Sequence, residues 1–367
     1  MVVGQLDLAG RNRRITALIP AHNEEATIPA TIRSLRQQIT PVDRIVVVCD
    51  NCTDRTAEVS RSLGAEIFTT AGNTSRKAGA LNQALREILP QESPGDLVLV
   101  MDADSQLNKV WLAMATDALA RDQRIGAICG VFLGEPGRGL VGQIQRNEFF
   151  RYARIIQRRF QALVLSGTGT LFRVPVLRKI ASERGGRLPG FCGEFYNGMS
   201  ITEDDEITLA VKTLGWRCLC PPACETITEV MPTWRALYRQ RIRWQKGTLG
   251  DLRSYGVSKV TRSCWSRQVL LYLGFTASIA CGGIMARALL GHAGVSPMWT
   301  AGILSITVLE RTWTARRAGW RGVILAALVL PEMSYAMFQA WVFFSALRAD
   351  LLGREIAWGH IAREVTA

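Results

Sequence analysis

Asp50 and the triplet Asp102-Ala103-Asp104 are the residues whose type and placement first suggest chemistry. Side chains two apart on an extended segment point the same way, so Asp102 and Asp104 can face one divalent cation. A cation there neutralises a diphosphate, which makes a nucleotide a good leaving group. Such triplets arise often by chance, but this one directly follows the apolar run LVLVM and outweighs a merely solvated strand end. Asp50 closes a second apolar run, where its carboxylate can accept hydrogen bonds from a base or ribose. The competing role is a helix N-cap, which Asp54 fits better because the helical pattern begins at Arg55. Lys77, between Arg76 and Gly79 ahead of a helix, is placed to meet phosphate at a helix N-terminus; a surface lysine looks the same.

Thr202-Glu203-Asp204-Asp205-Glu206 sets four acids at the start of a helix. Clustered carboxylates raise some of one another's pKa values, which suits one of them to general-base work. The helix dipole alone also favours acids there, and spacing does not choose between the two. Gln240-Arg241-Ile242-Arg243-Trp244 supplies an amide, guanidiniums and an indole. Arginine clamps diphosphate and an indole face stacks on a sugar ring. A basic interfacial helix anchored by tryptophan is the plainer account, and it does not require the glutamine.

Short apolar runs position these groups: ITALIPA (15–21), RIVVVCD (44–50), AEIFTT (65–70) and DLVLVMD (96–102). They read as buried parallel strands. Helical patterns at 24–38, 55–63 and 78–89 lie between them, which indicates βαβ units in an α/β domain with a mostly parallel sheet. Ligands bind beyond the carboxyl ends of such strands, where Pro20-Ala21-His22-Asn23-Glu24, Asp50 and Asp102-Ala103-Asp104 fall. Further strands are expected at 125–133 and 163–173, a polar helix at 143–161, a Gly-rich mobile loop at 185–201, a short helix at 206–214 and an amphipathic interfacial helix at 234–253.

Composition narrows the class. The formal charge is +13, and six of the 44 basic residues are lysine. Arginine suits phosphate recognition, and a basic surface serves nucleic acid, anionic lipid or a diphosphate. The apolar C-terminal third favours lipid, so no nucleic-acid partner is expected. Apolar segments at 268–286, 293–309 and 322–347 approach the ~20 residues that cross a bilayer. The third is interrupted by Pro331-Glu332, and the Arg-rich link carrying Arg311, Arg316, Arg317 and Arg321 is expected in the cytosol. No signal peptide is visible at the start. The division expected is a cytosolic catalytic domain at 1–232, interfacial helices at 233–266, a membrane region of two to three spans at 267–347 and a tail at 348–367. Of the nine cysteines, Cys49-x-x-Cys52 has the form of a redox or zinc half-site. No second such pair follows, and Cys218, Cys220 and Cys224 are spaced differently. Reduced thiols are expected.

In order, these segments resemble the family 2 glycosyltransferases, in particular the processive membrane branch with cellulose, chitin and hyaluronan synthases. Asp50, Asp102-Ala103-Asp104, Thr202-Glu203-Asp204 and Gln240-Arg241-Ile242-Arg243-Trp244 stand as its aspartate, TED and QxxRW motifs, and IPAHNEE and RKAGALN are similar too. The resemblance implies a GT-A fold and an inverting single displacement, with Asp204 the base. Asp102 and Asp104 would hold the donor and a Mg²⁺ or Mn²⁺ ion, Asp104 as the more direct ligand. Pro20, Ala21, Glu24 and Asp50 would hold the nucleotide, and Lys77, Gln240 and Arg243 the diphosphate. Trp244 and Glu203 would serve the acceptor, with Gly167 and Thr168 of an acceptor-side loop. The partners expected are a nucleotide-sugar donor, a carbohydrate or lipid-linked acceptor and the cell membrane. The branch carries spans before the catalytic domain and more after it; the expected two or three here imply a homo-oligomer or transfer of one or a few sugars. Rival readings are a polyprenyl-phosphate sugar transferase and a non-catalytic basic membrane-binding protein.

Overall fold

A computed structural model describes residues 13–137, 139–289 and 297–354. The N-terminal residues 1–12, the start of the second apolar segment at 293–296 and most of the expected tail (355–367) lie outside the described residues. The elements divide into two compact units, each drawn from two stretches of chain: 1–132 with 156–228, and 133–155 with 229–367.

In the first unit the chain runs β1 (Ile15–Ala21), α1 (Ile28–Arg36), β2 (Arg44–Cys49), α2 (Thr56–Ser62), β3 (Glu66–Thr69), α3 (Arg76–Ile88) and β4 (Leu97–Val100). There follow β5 (Gln106–Leu107), α4 (Trp111–Arg121), β6 (Ile125–Cys129) and β7 (Val131–Gly134); after α5 (Gly139–Arg159), most of which belongs to the second unit, come β8 (Thr170–Arg173), α6 (Val174–Glu183), α7 (Glu203–Thr213), β9 (Arg217–Leu219) and β10 (Glu225–Thr228). Seven strands form one sheet in the order β3-β2-β1-β4-β8-β6-β9, and β5-β10-β7 form a small second sheet. β8 alone runs antiparallel to its neighbours in the large sheet. Leu18, Val47 and Leu99 are fully buried in its parallel strands, as expected for strands covered on both faces. The α/β expectation holds.

Two expected strands differ in detail. The run 125–133 divides at Gly130, whose N–H bonds Gly169 O (3.1 Å) while Val131 N–H bonds Cys224 O (2.6 Å), so the backbone changes sheets there. Of 163–173 only the last four residues pair as β8; the preceding Ser-Gly-Thr-Gly stretch turns back on itself through Gly169 N–H to Ser166 O (3.2 Å).

The second unit holds α8 (Trp234–Tyr255), α9 (Thr261–Leu289), α10 (Pro297–Ala315), α11 (Trp320–Ala327) and α12 (Val329–Leu351). The Thr233 side chain caps α8 by accepting from Ala236 N–H (3.2 Å). Ile144, Met231, Leu237, Leu325 and Tyr335 form its core. Inside it Glu148 accepts from Arg241 (2.8 Å), the Tyr335 hydroxyl (2.5 Å) and Gln339 (3.2 Å). Among the described residues no single helix is long and apolar enough to cross a membrane; only α11 with the body of α12, bent by 82°, reaches that length and composition together. Pro331 sits in the first turn of α12, where a missing N–H costs nothing. Glu332 beside it is 8% exposed and pairs with Arg151 (2.5 Å) and Arg311 (3.7 Å), so its charge is compensated within the protein.

Candidate active site

The ends of β1 and β2 build the first part of the site. Asp50 N–H bonds Ala21 O (2.9 Å), carrying the parallel pairing one residue beyond β2. Asn23 and Asn51 then adopt left-handed backbone (φ 57° and 49°), which asparagine tolerates better than most residues. Asn23 Oδ1 accepts from Thr53 N–H (2.8 Å) and Asp54 N–H (3.3 Å), locking the two turns together. The Asp50 carboxylate accepts through Oδ1 from the Thr70 hydroxyl (2.7 Å), Asn73 Nδ2 (2.9 Å) and Asn51 Nδ2 (3.2 Å). It caps no helix. Nor is Asp54 the N-cap of α2, which is Arg55; one residue before it, Asp54 accepts from Thr56 N–H (2.9 Å) and Glu25 N–H (3.1 Å) and ties the two turns together. Pro20 and Ala21 are the last two residues of β1, and Glu24 accepts from the Thr27 hydroxyl (2.6 Å) in the turn before α1. Asn73 reaches Asp50 because residue 79 has no side chain: a Cβ there would lie 2.0 Å from Asn73 Oδ1.

The second part joins β4 to α7. The triplet is not the extended segment expected: Ala103 and Asp104 form a turn closed by Ser105 N–H to Asp102 O (3.3 Å), while Met101, Ala103 and Ser105 are buried and Asp102 and Asp104 half-buried. Their partners differ. Lys77, in the first turn of α3, bridges Asp102 Oδ1 (2.5 Å) and Glu203 Oε1 (2.8 Å). Burial works against its charge, but Asp102, Glu203 and Asp204 outweigh that and raise its pKa well above the usual lysine value. Gly167 links the same groups through its backbone: its carbonyl accepts from Asp102 N–H (2.9 Å) and its N–H reaches Asp204 Oδ2 (3.4 Å). A Cβ on residue 167 would lie 2.7 Å from Lys77 Nζ and 2.9 Å from Asp102 Oδ2. Thr168 beside it shares a hydrogen bond with Ser166 (2.9 Å).

Asp204 is pushed up to about 7, first by burial and then by the charges of Glu203, Asp205 and Asp102, with Lys77 opposing. A carboxyl that ionises near neutrality can take a proton from a hydroxyl and release it again. Three of the four acids of α7 thus differ in their surroundings. Glu203 pairs with Lys77, and Glu206 is fully buried in an ion pair with Arg184, both side chains 0% exposed.

Asp104 accepts from the Ser105 hydroxyl (3.0 Å) and lies 3.5 Å from the Thr228 hydroxyl. Among the described residues no three His, Cys, Asp or Glu side chains converge as a complete metal cage. Small hard cations, however, are commonly held by one or two carboxylates with substrate phosphates completing the shell. Asp102 and Asp104 offer that donor set, and Asp102 already holds the Lys77 ammonium as a cation stand-in. The residues fit such an ion.

Sequence reasoning missed several members. Thr70 and Asn73 orient Asp50; Thr70 is the last residue of the run 65–70 and Asn73 lies in the turn residues after it, where neither spacing nor type marks a site. Asn82 accepts from Phe195 N–H and Tyr196 N–H (both 2.9 Å) and donates to Tyr196 O (2.7 Å). Arg184 donates to Pro189 O (2.8 Å) and Phe195 O (3.0 Å). The stretch expected to be a mobile loop is therefore anchored at its middle, with Phe195 and Tyr196 buried. Tyr196 lines one cavity with Lys77, Gly167, Glu203 and Asp204, and burial raises the pKa of its phenol.

Gln240, Arg243 and Trp244 lie on α8 of the second unit. There the Arg241 guanidinium covers the Trp244 ring at 4.6 Å, a cation–π contact. Gln240 Oε1 is buried with no hydrogen-bond partner among the described residues.

Residues 16–181 match the family model described as Glycosyl transferase family 2. A probable glycosyltransferase, YdaM, of Bacillus subtilis is 28% identical over 251 residues, covering 64% of this chain and 55% of that protein. The poly-beta-1,6-N-acetyl-D-glucosamine synthase of Staphylococcus aureus is 25% identical over 283 residues, covering 71% of this chain and 64% of the synthase. The chain thus spans less than two thirds of the length of these relatives. Among solved structures, the mannosyltransferase PcManGT of Pyrobaculum calidifontis, in complex with GDP-Man and Mn²⁺, superposes with a TM-score of 0.58 at 20% identity, covering 94% of this chain and 89% of that one. The fold is the GT-A fold.

Proposed function

We propose that this chain, a glycosyltransferase by its family 2 domain over residues 16–181, inverts the anomeric centre of a UDP-sugar as it transfers the sugar to a carbohydrate or lipid-linked hydroxyl. The observation that carries this is Lys77 bridging Asp102 and Glu203, which brings the strand-end acids and the acids of α7 into one cluster. Asp50, with Pro20, Ala21 and Glu24 around it, holds the nucleoside. Asp104 and Asp102 would hold a Mg²⁺ or Mn²⁺ ion, which when bound would supply positive charge against a diphosphate leaving group. Lys77 contacts the diphosphate, and Gln240 and Arg243 are assigned there as well. Asp204 takes the proton of the acceptor hydroxyl as that oxygen attacks the anomeric carbon; the C–O bond to the diphosphate breaks and UDP leaves. Glu203, Gly167, Thr168 and Trp244 serve the acceptor. UDP-N-acetylglucosamine and UDP-glucose are the donors proposed, the first supported by the product named for the staphylococcal relative.

The second unit is read as the membrane-bound part, with the catalytic unit in the cytosol. Trp320 is 69% and Leu330 77% exposed, and Trp313 and Trp341 are more than half exposed; apolar groups of this kind suit a bilayer interface. The test incubates membranes from cells making the full chain with UDP-glucose, UDP-N-acetylglucosamine or GDP-mannose and Mn²⁺, and follows nucleotide release. UDP release in the membrane fraction is expected. Release from GDP-mannose alone overturns the donor assignment, activity confined to the supernatant overturns the membrane assignment, and no release from any donor overturns the transferase reading.

A Gly167→Ala substitution probes the bridge directly. The new methyl group must push Lys77 Nζ away from Asp102. Because the far end of a lysine yields easily, the fold is expected to stand. A displacement of this order at a reacting centre costs on the order of 100-fold in rate, so kcat/KM should fall by about that factor at unchanged melting temperature. Parental kinetics would show that the Lys77–Asp102 contact plays no part in turnover.

A further inference from the structure

The Cys49-x-x-Cys52 motif is not absorbed by the transfer reaction, and its two sulfurs meet beside Asp50. Cys49 ends β2 opposite Ala21 of β1. Asn51, in left-handed conformation, reverses the chain so that Cys52 Sγ also comes over Ala21, donating to its carbonyl (3.3 Å). Both cysteines thus flank Ala21, and Cys52 packs against the buried cluster that contains Cys49. Cys49 is buried, 3% exposed, and Cys52 is half-buried at the rim. The neighbouring Cys49 thiol holds Cys52 down at about 6 against the effect of burial, while Cys49 is raised. That is the asymmetry of an accessible attacking thiolate with a buried resolving partner.

We propose that Cys49 and Cys52 form a reversible disulfide by exchange with a low-molecular-weight disulfide, and that this bond closes the Asp50 pocket. The Cys52 thiolate attacks one sulfur of the small disulfide and expels the other half as a thiolate. Cys49 loses its proton and attacks Cys52 Sγ, expelling the second half. Two protein thiols are oxidised by two electrons, and one small disulfide becomes two thiols. Asp50 and Asn51 are the two residues enclosed in the new ring. Drawing the two sulfurs to a bond of ~2.04 Å tightens that turn, and the Asp50 carboxylate leaves the positions set by Thr70 and Asn73. This consequence rests on the reading of Asp50 as part of the nucleotide site.

A second thiol pair supplies an internal control. Cys129 and Cys220 also perturb each other's ionisation, but both are buried, so a dissolved disulfide does not reach them. The full chain is equilibrated with glutathione disulfide, blocked with an alkylating agent and mapped by peptide mass. A 49–52 disulfide is expected with Cys129 and Cys220 still alkylatable after unfolding. Cys49→Ser should trap Cys52 as its glutathione adduct, and Cys52→Ser should leave Cys49 reduced. Finding Cys49 and Cys52 reduced at equilibrium, or oxidised no faster than Cys129 and Cys220, overturns the assignment. UDP affinity is then measured on the reduced and oxidised chain. A loss of tenfold or more, reversed by dithiothreitol and absent in the Cys52→Ser chain, is expected. Equal affinity in both states overturns the closure of the pocket. No UDP binding even in the reduced chain overturns the donor site, and with it the closure, while the disulfide is decided by mass alone.

Discussion

An Asp204→Asn chain is expected to bind UDP as the parent does and to turn over about a thousandfold more slowly, the middle of the range for loss of a general base. The amide keeps the shape and can still accept from Gly167 N–H, but it cannot hold a proton taken from a hydroxyl. Titration curves and kcat on the two chains check this, and an equal loss of UDP affinity would move Asp204 into the donor site. The parent carries a second signature. A base must be ionised to act, and Asp204 ionises near 7, so activity should rise with pH through about that value. Burial, Glu203, Asp205 and Asp102 hold it up, and Lys77 pulls it down. Glu203→Gln removes one raising charge and leaves Lys77 closer to unshared, so the rising limb should move to lower pH. A limb that stays put, or moves to higher pH, would detach it from Asp204. The stability linkage runs the other way. Because the folded pKa lies above the unfolded one, Asp204 contributes stability that is fully present below about 4 and is lost as pH rises to about 7.

The second large effect is on folding. Arg184→Met strands the Glu206 carboxylate, which is 0% exposed and loses both donors of its guanidinium partner. Breaking one side of a buried pair costs about 3–5 kcal/mol, or roughly 10 °C in melting temperature for a unit of this size. Replacing both, as Arg184→Met with Glu206→Met, should recover most of the loss, because no uncompensated charge remains. Arg44, paired with the largely exposed Glu66, gives the comparison: Arg44→Ala should cost no more than ~1 kcal/mol. Thermal melts of the four full-length chains decide the matter. If Arg184→Met melts with Arg44→Ala, the buried pair is not what fixes this region.

The order of strands and helices through β4 could be read from apolar runs and their spacing, because parallel strands buried on both faces leave uninterrupted Val, Ile and Leu in sequence. The strand-end acids could be read for the same reason: they stand where those runs stop. What could not be read is set by partners distant in sequence. Glu203 and Glu206 are near neighbours in one helical turn, yet one meets Lys77 and the other Arg184, and no spacing distinguishes them. Thr70, Asn73 and Asn82 work through single polar contacts that leave no periodic trace. The stretch 185–201 reads as loose because it is rich in glycine, and the pins that hold it are Asn82 of α3 and Arg184 at the end of α6. The same limit applies to the apolar third of the chain: length and composition suggest spans, while the break at Leu328 depends on a turn, with Pro331 tolerated just after it in the first turn of α12.

Asn82 deserves a last consequence, because it divides the 185–201 stretch. Its one amide side chain holds the backbone at Phe195 and Tyr196 on both the donor and the acceptor side, so a single long excursion becomes two short tethers. Phe191 (64% exposed) and Met199 (74%) sit on either tether and are the points a protease would reach. Since closing each short segment costs little, a chain cut at Phe191 should keep both fragments associated. New termini placed between residues 191 and 193 should be tolerated for the same reason, which makes this bend a place where the polypeptide can be opened and rejoined without dismantling the site it serves.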